Sequence, residues 1–302
     1  MKTPLVSINI LSHNRKNCLK QTLNKVFEQN YKNIEVIVVD NNSNDGSVEM
    51  IEKEFNNVEV IYLEKNIGAS ALNISFKKSK GEYILILDDD SYPIANTIEE
   101  GLMSFKQKNN IKIVSFNIFN TNTNRSQTDY FIENELSFIG CGVMIKNDLL
   151  KMLNGFSEHY FIYHNELDLS IRTLNLGFKI KYLPNTAVIH DQKGQANIIV
   201  SKFRYSNYMK SYLIFFIRNI SCKYSCLHII KWIINRFLIC FKYPYFFVFI
   251  KSLGYVIVNF NRIYKSKQSI KKKYQKLYLN KIPFVDRDYF PNFKKPSLKL
   301  FY

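Results

Sequence analysis

The chain has 302 residues, of which 46% are hydrophobic, enough for one large domain with an appendage or for two domains, each with a sizeable core. Its net charge of +17 is unevenly placed: residues 1–200 carry 21 basic and 23 acidic side chains, and residues 201–302 carry 21 and 2. Five scattered cysteines, of which the Cys222/Cys226 pair lacks zinc-type partners at the right spacing, read as reduced cytosolic thiols.

Met1-Lys2-Thr3-Pro4 lacks a signal-peptide layout and leads into a first strand, Leu5–Leu11. Ser12-His13-Asn14 is a turn. From Arg15 the apolar spacing Leu19, Leu23, Val26 and Phe27 predicts a helix. Ile34–Val39 is a second strand ending at Asp40, followed by a polar loop to Ser47 and a helix to about Glu54. Val58–Leu63 is a third strand. Asn66-Ile67-Gly68-Ala69-Ser70 turns into a helix ending near Gly81.

Ile84-Leu85-Ile86-Leu87 then reads as a strand buried on both faces, with Asp88-Asp89-Asp90 following directly. Three charges cannot be buried cheaply, so the acids belong where the strand leaves the sheet and meets solvent or a cation. Mg2+ and Mn2+ suit such oxygen-rich sites. For an isolated triplet a solvated acidic turn is the favoured reading, but the Ile34–Val39 strand ending at Asp40 repeats the construction and shifts the balance.

Asn96–Gln107 is helical and Ile111–Phe116 is a strand. Asn120–Asn134 reads as a polar loop, and Phe138–Ile145 as a strand with close-approach glycines. Asn147-Asp148 caps a short helix. Glu166–Arg172 opens a helix that stops at Gly177. Lys179–Leu183 and Ala187–Ile189 are short strands, the second running into His190. Strands alternating with helices predict an α/β fold with a mostly parallel, helix-flanked sheet that binds its ligand beyond the strand carboxyl ends. Asp40 and Asp88–Asp90 both sit there.

From Lys202 the composition shifts to aromatics, isoleucine and lysine. Leu227–Phe241 is helical, with His228, Lys231, Asn235 and Lys242 on one side and the isoleucines and Trp232 on the other. No run is long and apolar enough for a spanning helix. The expectation is a catalytic domain at 1–200 and a basic helical region at 201–302 lying on an anionic, cytosolic membrane surface. A plain helical appendage explains the apolar faces but not the charge. The segment from Lys271 to Tyr302 is expected to be partly disordered.

The chain has no GxxxxGK[ST] run and no GxGxxG after the first strand, but a site without such a cradle can still hold a diphosphate through a metal, which points to a nucleotide-diphosphate substrate with Asp90 as the ligand. Glu166 and Asp168 are candidates for the base that deprotonates an acceptor hydroxyl, although the helix dipole alone also favours acids in a first turn. His190 could bind metal or phosphate, or be structural.

Several ordered motifs carry a family resemblance over about residues 4–220. They are Val6-Ser7-Ile8 leading to Asn14-Arg15, Val38-Val39-Asp40-Asn41-Asn42-Ser43-Asn44-Asp45-Gly46, Asn66-Ile67-Gly68 with Asn73, and Leu87-Asp88-Asp89-Asp90-Ser91. They continue with Gly155-Phe156-Ser157-Glu158, Asn165–Arg172, Pro184 and His190, and Arg218-Asn219 looks like an Arg-Asn pair common after the catalytic domain. Together they resemble family 2 glycosyltransferases of the GT-A fold, especially rhamnosyltransferase-like and cell-surface polysaccharide members.

The resemblance implies an inverting transfer from a UDP- or dTDP-sugar to a lipid-linked glycan, dependent on Mg2+ or Mn2+. It places Asp40 on the pyrimidine and Asp45 and Asn66 around the nucleotide. Asn42, Gly68 and Asp89 belong to the same nucleotide-sugar motifs. Asp88 would face the ribose and also the metal, Asp90 the metal, Glu166 the acceptor as base, and His190 the metal and diphosphate. One departure stands out: where the family has Glu-Asp, this chain has Asn165-Glu166, so the base would be one methylene longer.

A polyprenyl-phosphate acceptor is the alternative within the class, and would be expected to come with spanning helices. The basic tail also admits a nucleic-acid-binding protein, but no helix-turn-helix or zinc module accompanies it, so nucleic acid is not the expected partner. A non-catalytic sugar-nucleotide binder conflicts with the intact Asp88, Asp90 and Glu166.

Overall fold

The computed structural model describes residues 3–128, 130–192, 201–242 and 245–281. The chain opens with strand β1 (Val6–Ser12), helix α1 (Lys16–Phe27), β2 (Ile34–Asp40), α2 (Ser47–Glu54) and β3 (Val58–Tyr62). A one-turn 3-10 helix at Gly68–Ala71 runs into α3 (Leu72–Lys78), followed by β4 (Tyr83–Asp88), β5 (Ser91–Pro93), α4 (Thr97–Gln107) and β6 (Ile111–Asn120). Next come β7 (Arg125–Ser126), α5 (Tyr130–Glu133), β8 (Val143–Lys146), α6 (Asn147–Leu153), α7 (Asn165–Asn175) and β9 (Lys179–His190).

The nine strands among the described residues join one sheet in the order β3-β2-β1-β4-β8-β6-β9-β5, with β7 on β6. The central strand shows why its sequence is apolar without alternation. Ile84 and Ile86 pack into the core on one face of the sheet, and Leu85 and Leu87 into the core on the other. The polar residues of β1 are also buried, and they are paired: Asn9 Nδ2 donates to Ser79 Oγ (3.0 Å), and Ser7 Oγ donates to Glu35. Such pairing removes most of the cost of burying them.

The register fixes the site. β1 runs parallel to β2 and β4, with Ser12 opposite Asp40 and Leu11 opposite Asp88. The two acidic strand ends therefore flank the end of β1.

Most of the paired residues lie in parallel ladders, as expected, and antiparallel pairing is confined to β8 against β4 and β6, β5 against β9 and β7 against β6. Two strand expectations need correction. Only Val143–Lys146 of the Phe138–Ile145 run is strand. Gly142 lies against Ile118 and Val188, where a side chain would collide, and the segment before it turns. The two short strands after Lys179 are one, and the pairing steps from Leu183 to Ala187 opposite Phe116 and Asn117, so Pro184-Asn185-Thr186 bulges out. The polar Asn120–Asn134 stretch also holds β7 and α5.

The basic region forms α8 (Lys202–Asn219), α9 (Cys222–Lys242), α10 (Phe246–Val258), α11 (Phe260–Lys265) and α12 (Lys272–Lys281). α8 is buried along most of its length and shares a core with β4, β8 and α7. Tyr212 on α8 stacks on Trp232 of α9, centroids 4.1 Å apart and planes 6° apart. Lys272–Lys281, expected to be partly disordered, is a helix anchored by buried Tyr278, whose hydroxyl donates to Leu136 O. Residues 282–302 lie outside the described residues. The expected two-sided α9 is also corrected. Trp232 and Arg236 face inward, whereas Ile230 and Ile234 share the outer face with Lys231.

Candidate active site

At the end of β2, Asp40 is fully buried. One carboxylate oxygen accepts from Ser43 N (2.8 Å), and the other has no hydrogen-bond partner among the described residues. The following polar loop is built by side chains. Asp45 accepts from Lys16 N (2.8 Å), opening α1, and from Ser47. Partial burial alone would raise its pKa, but these bonds hold it below the ordinary carboxylate value. Asn41 bridges Ile67 N (2.9 Å) and Gly68 O (3.2 Å), and Asn66 Oδ1 accepts from Gly68 N (2.9 Å). Gly68 needs to be glycine: φ is +69° and the Phe161 backbone fills the place of a Cβ. Asn42 is also left-handed, and its side chain accepts from Tyr62 OH (3.3 Å).

The β4 acids divide their partners. Arg15 donates to Asp89 and to Asp90, each at 2.8 Å, and Asp89 also accepts from Ser12 Oγ and His13 N (both 3.3 Å). The second Asp90 oxygen faces His190 Nε2 at 3.3 Å. β5 pairs with β9 so that Ser91 is opposite His190, which brings the histidine from the far end of the sheet to the triplet. Burial first, and the Asp90 charge second, push Asp88 up to about 6. Two crowded carboxylates and an imidazole on one rim are a donor set that fits Mg2+ or Mn2+, since a cation there would relieve the repulsion. Cys141 adjoins them: a ligand atom from each of Asp88, Cys141 and His190 lies within 4.8 Å of the others.

Glu166 lies in the first turn of α7. Burial pushes its carboxyl up to about 7, with Asp88's charge adding to the shift, while bonds from Asn165 and the Gly140 backbone oppose it. A Cβ on Gly140 would stand 2.9 Å from Glu166 Oε1. The turn before α7 holds two consecutive left-handed residues, Tyr163 (φ 67°) and His164 (φ 59°). Buried His164 packs among the Tyr208, Tyr212 and Phe215 rings, and burial pushes its pKa down to about 3. Uncharged, it plugs the core beneath the turn that presents Glu166.

Asp168 needs correction as a candidate base. It is fully buried one helical step away, with one oxygen on Arg172 Nε (2.8 Å) and the other on Asn219 (2.9 Å), Tyr160 OH (3.1 Å) and Arg218 (3.4 Å). Burial would raise its pKa, but the two guanidinium groups hold it below the usual range. It is a structural anchor.

Sequence reasoning gave no role to Arg15, Gly140, Cys141 or Gln127. The Asn14-Arg15 motif pointed at the first, and the glycines flanking Cys141 marked the second and third as lying in a crowded place. Gln127, whose Oε1 lies 2.9 Å from His190 Nδ1, carried no signal.

A mixed sheet with carboxylates gathered at the ends of its parallel strands defines a nucleotide-sugar transferase of the GT-A type. The family model for glycosyl transferase family 2 matches residues 7–169, more than half of the chain, and the protein belongs to that family. It is 27% identical over 191 residues to an uncharacterized glycosyltransferase, RT0329, of Rickettsia typhi, which covers 58% of this chain and 60% of that one. It is 29% identical over 191 residues (58% of this chain, 74% of the relative) to the Escherichia coli UDP-Glc:alpha-D-GlcNAc-diphosphoundecaprenol beta-1,3-glucosyltransferase WfgD. Among solved structures, Staphylococcus aureus TarS 1-349 with UDP-GlcNAc has a TM-score of 0.56 at 20% identity, covering 70% of this chain and 66% of that one. The Pyrobaculum calidifontis mannosyltransferase PcManGT, with GDP-Man and Mn2+, has a TM-score of 0.55 at 16% identity, covering 96% and 88%. At such identities the structural likeness establishes the shared fold.

Proposed function

We propose that the protein is a metal-dependent, inverting hexosyltransferase that moves a sugar from a UDP- or dTDP-sugar to a hydroxyl of a lipid-linked glycan in cell-surface polysaccharide synthesis. The observation that carries the reading is Glu166: a carboxyl on the first turn of α7, near enough to Asp88 to feel its charge and pushed up to about 7 by burial first. A base poised at that value accepts a proton from an attacking hydroxyl efficiently. With the carboxylate as the base and no nucleophile needed, a single displacement inverts the anomeric centre.

The vacant acceptor on Asp40 suits the one ring N–H of uracil or thymine. Asp88, Asp90 and His190 would hold Mg2+ or Mn2+, which when bound neutralises the diphosphate as it departs. PcManGT, with Mn2+ in its complex, supports a cation on this fold, and the UDP-Glc and diphosphoundecaprenol in WfgD's name support the donor and acceptor classes.

Residues 201–302 would hold the enzyme to the inner membrane face, where such acceptors are made. Among the described residues no helix is long and apolar enough to cross a membrane. Leu227, Ile230, Ile234 and Leu238 of α9 and Phe247, Ile257 and Val258 of α10 are all exposed, with Lys223, Lys231 and Lys251 beside them on the same helices. Apolar area of this extent between basic residues suits an anionic bilayer surface.

Titrating UDP, dTDP, GDP and CDP with and without Mn2+ tests the donor class. The reading expects UDP or dTDP to bind in a metal-strengthened manner. Binding of GDP alone, or of no nucleotide, would overturn it.

A further inference from the structure

We propose that Asp88, Cys141 and His190 form a thiophilic metal site that takes Zn2+ and competes with the hard cation of the donor site. The inference rests on the reading of Asp88 and His190 as cation ligands.

His190 presents two edges. Nε2 faces Asp90 Oδ1 at 3.3 Å, the edge toward which a diphosphate-bound hard cation would be drawn. Nδ1 lies 3.8 Å from Cys141 Sγ, and Asp88 completes a set of three ligand atoms within 4.8 Å of one another. Tetrahedral zinc with a thiolate, an imidazole and a carboxylate holds its ligand atoms about 3.3–3.6 Å apart. The site therefore needs a contraction of at most about 1.5 Å, and only a few tenths of an ångström between Cys141 Sγ and His190 Nδ1, within reach of side-chain rotation, with the Gln127 contact to Nδ1 given up.

The backbone has the form such a site requires. Cys141 is 2% exposed and stands between Gly140, which the Glu166 carboxylate crowds, and Gly142, which Ile118 and Val188 crowd. Those close approaches press the thiol into the rim rather than out to solvent. Thiolate is a poor ligand for Mg2+ and a strong one for zinc and cobalt. On binding, the thiol gives up its proton to solvent, and the fourth position stays with water. The two arrangements use different nitrogens of His190 but share Asp88, so zinc occupancy and productive donor binding compete for that carboxylate. The family's pairing of acids with a histidine supplies the hard site, and the cysteine of this chain adds a competing one.

Cobalt(II) is the probe, added to the full chain in the absence of nucleotide. The wild type and C222S/C226S, which removes the exposed Cys222–Cys226 pair 2.8 Å apart, should both show thiolate-to-cobalt absorption in the near ultraviolet and intense visible bands of tetrahedral cobalt. Zn2+ should chase both. C141S should lose the thiolate absorption and bind Zn2+ at least about tenfold more weakly. The proposal is overturned if the wild type shows no thiolate absorption, if C141S keeps it, or if only C222S/C226S loses it. UDP-dependent Mn2+ uptake by the wild type, read from the loss of the free-ion EPR signal, separates the two claims. Normal uptake without the cobalt–thiolate band sinks the zinc site alone. Absent uptake with the band present sinks the donor-site reading and leaves the zinc site standing.

Discussion

The proposed chemistry turns on single carboxyls, and their environments set them apart. Asp40 offers an unused buried acceptor, so Asp40→Asn should face a base N–H with an amide donor or a weaker acceptor. Loss of a hydrogen bond to a charged group predicts UDP affinity about 10–100-fold weaker by calorimetry. Unchanged affinity would remove Asp40 from the nucleobase. Glu166 has a folded value of about 7 against an ordinary 4.5. Its neutral form is therefore the one the fold prefers. The stability it contributes is complete below about pH 4.5 and is lost as the pH rises through 7. The proposed role as base runs the other way, since it needs the ionised form, so on that proposal kcat/KM should rise through about pH 7 on its acid limb. Glu166→Gln should melt higher than the wild type at pH 8 and lose that limb together with turnover. A variant that melted lower would show that the carboxylate is held by favourable contacts rather than strained by burial.

Elements bring these carboxyls together, and α7 contributes at both ends of its first turn. Glu166 points to the rim, while Asp168, two residues on, is clamped by Arg172 of the same helix and by Arg218 and Asn219 of α8. Removing one partner of a buried ion cluster leaves uncompensated charge, so Asp168→Ala should cost about 3–5 kcal/mol in denaturant unfolding. Its folded pKa lies below the ordinary 3.8, so its contribution is present above about pH 4 and fades as the pH falls through that lowered value. Wild-type stability in Asp168→Ala, with turnover abolished, would restore Asp168 as a catalytic group.

The same helix shows where sequence reading runs out. Two acids two residues apart look alike in a first turn, and only the position of α8, fixed by contacts more than 40 residues away, tells the clamped Asp168 from Glu166. The strand ends were legible, because an apolar run that meets a charge has few ways to sit in a sheet. The reversal of β8 was not, because three buried apolar residues and a lysine carry no mark of direction. His190 was found by motif, but its approach to Asp90 depends on the antiparallel β5–β9 pairing, which a three-residue strand does not announce.

Over the whole molecule, charge and apolar exposure coincide. The basic tail region was plain in composition, yet the outer face of α9 was not. Helical periodicity grouped the isoleucines with Trp232, whereas packing against Tyr212 drew Trp232 inward and left Ile230 and Ile234 outside. If that face meets a bilayer, Ile234→Asp with Val258→Asp should reduce co-sedimentation with anionic vesicles at least about tenfold, since each apolar side chain contributes roughly 1.5–3 kcal/mol on burial. Turnover of a water-soluble acceptor should be unaffected. Equal sedimentation of variant and wild type would return α9 and α10 to the role of a helical appendage.

The most direct test is nucleoside diphosphate release by wild type and Glu166→Gln side by side. UDP- and dTDP-sugars would be supplied with Mn2+ and an undecaprenyl-diphosphate-linked glycan. Metal-dependent release by the wild type is expected, reduced about 10²–10⁴-fold in the Gln variant, with donor binding retained in both. Equal release from the two proteins would contradict the assignment of Glu166. Donor binding without release for any acceptor in a broad panel would contradict the proposed transfer.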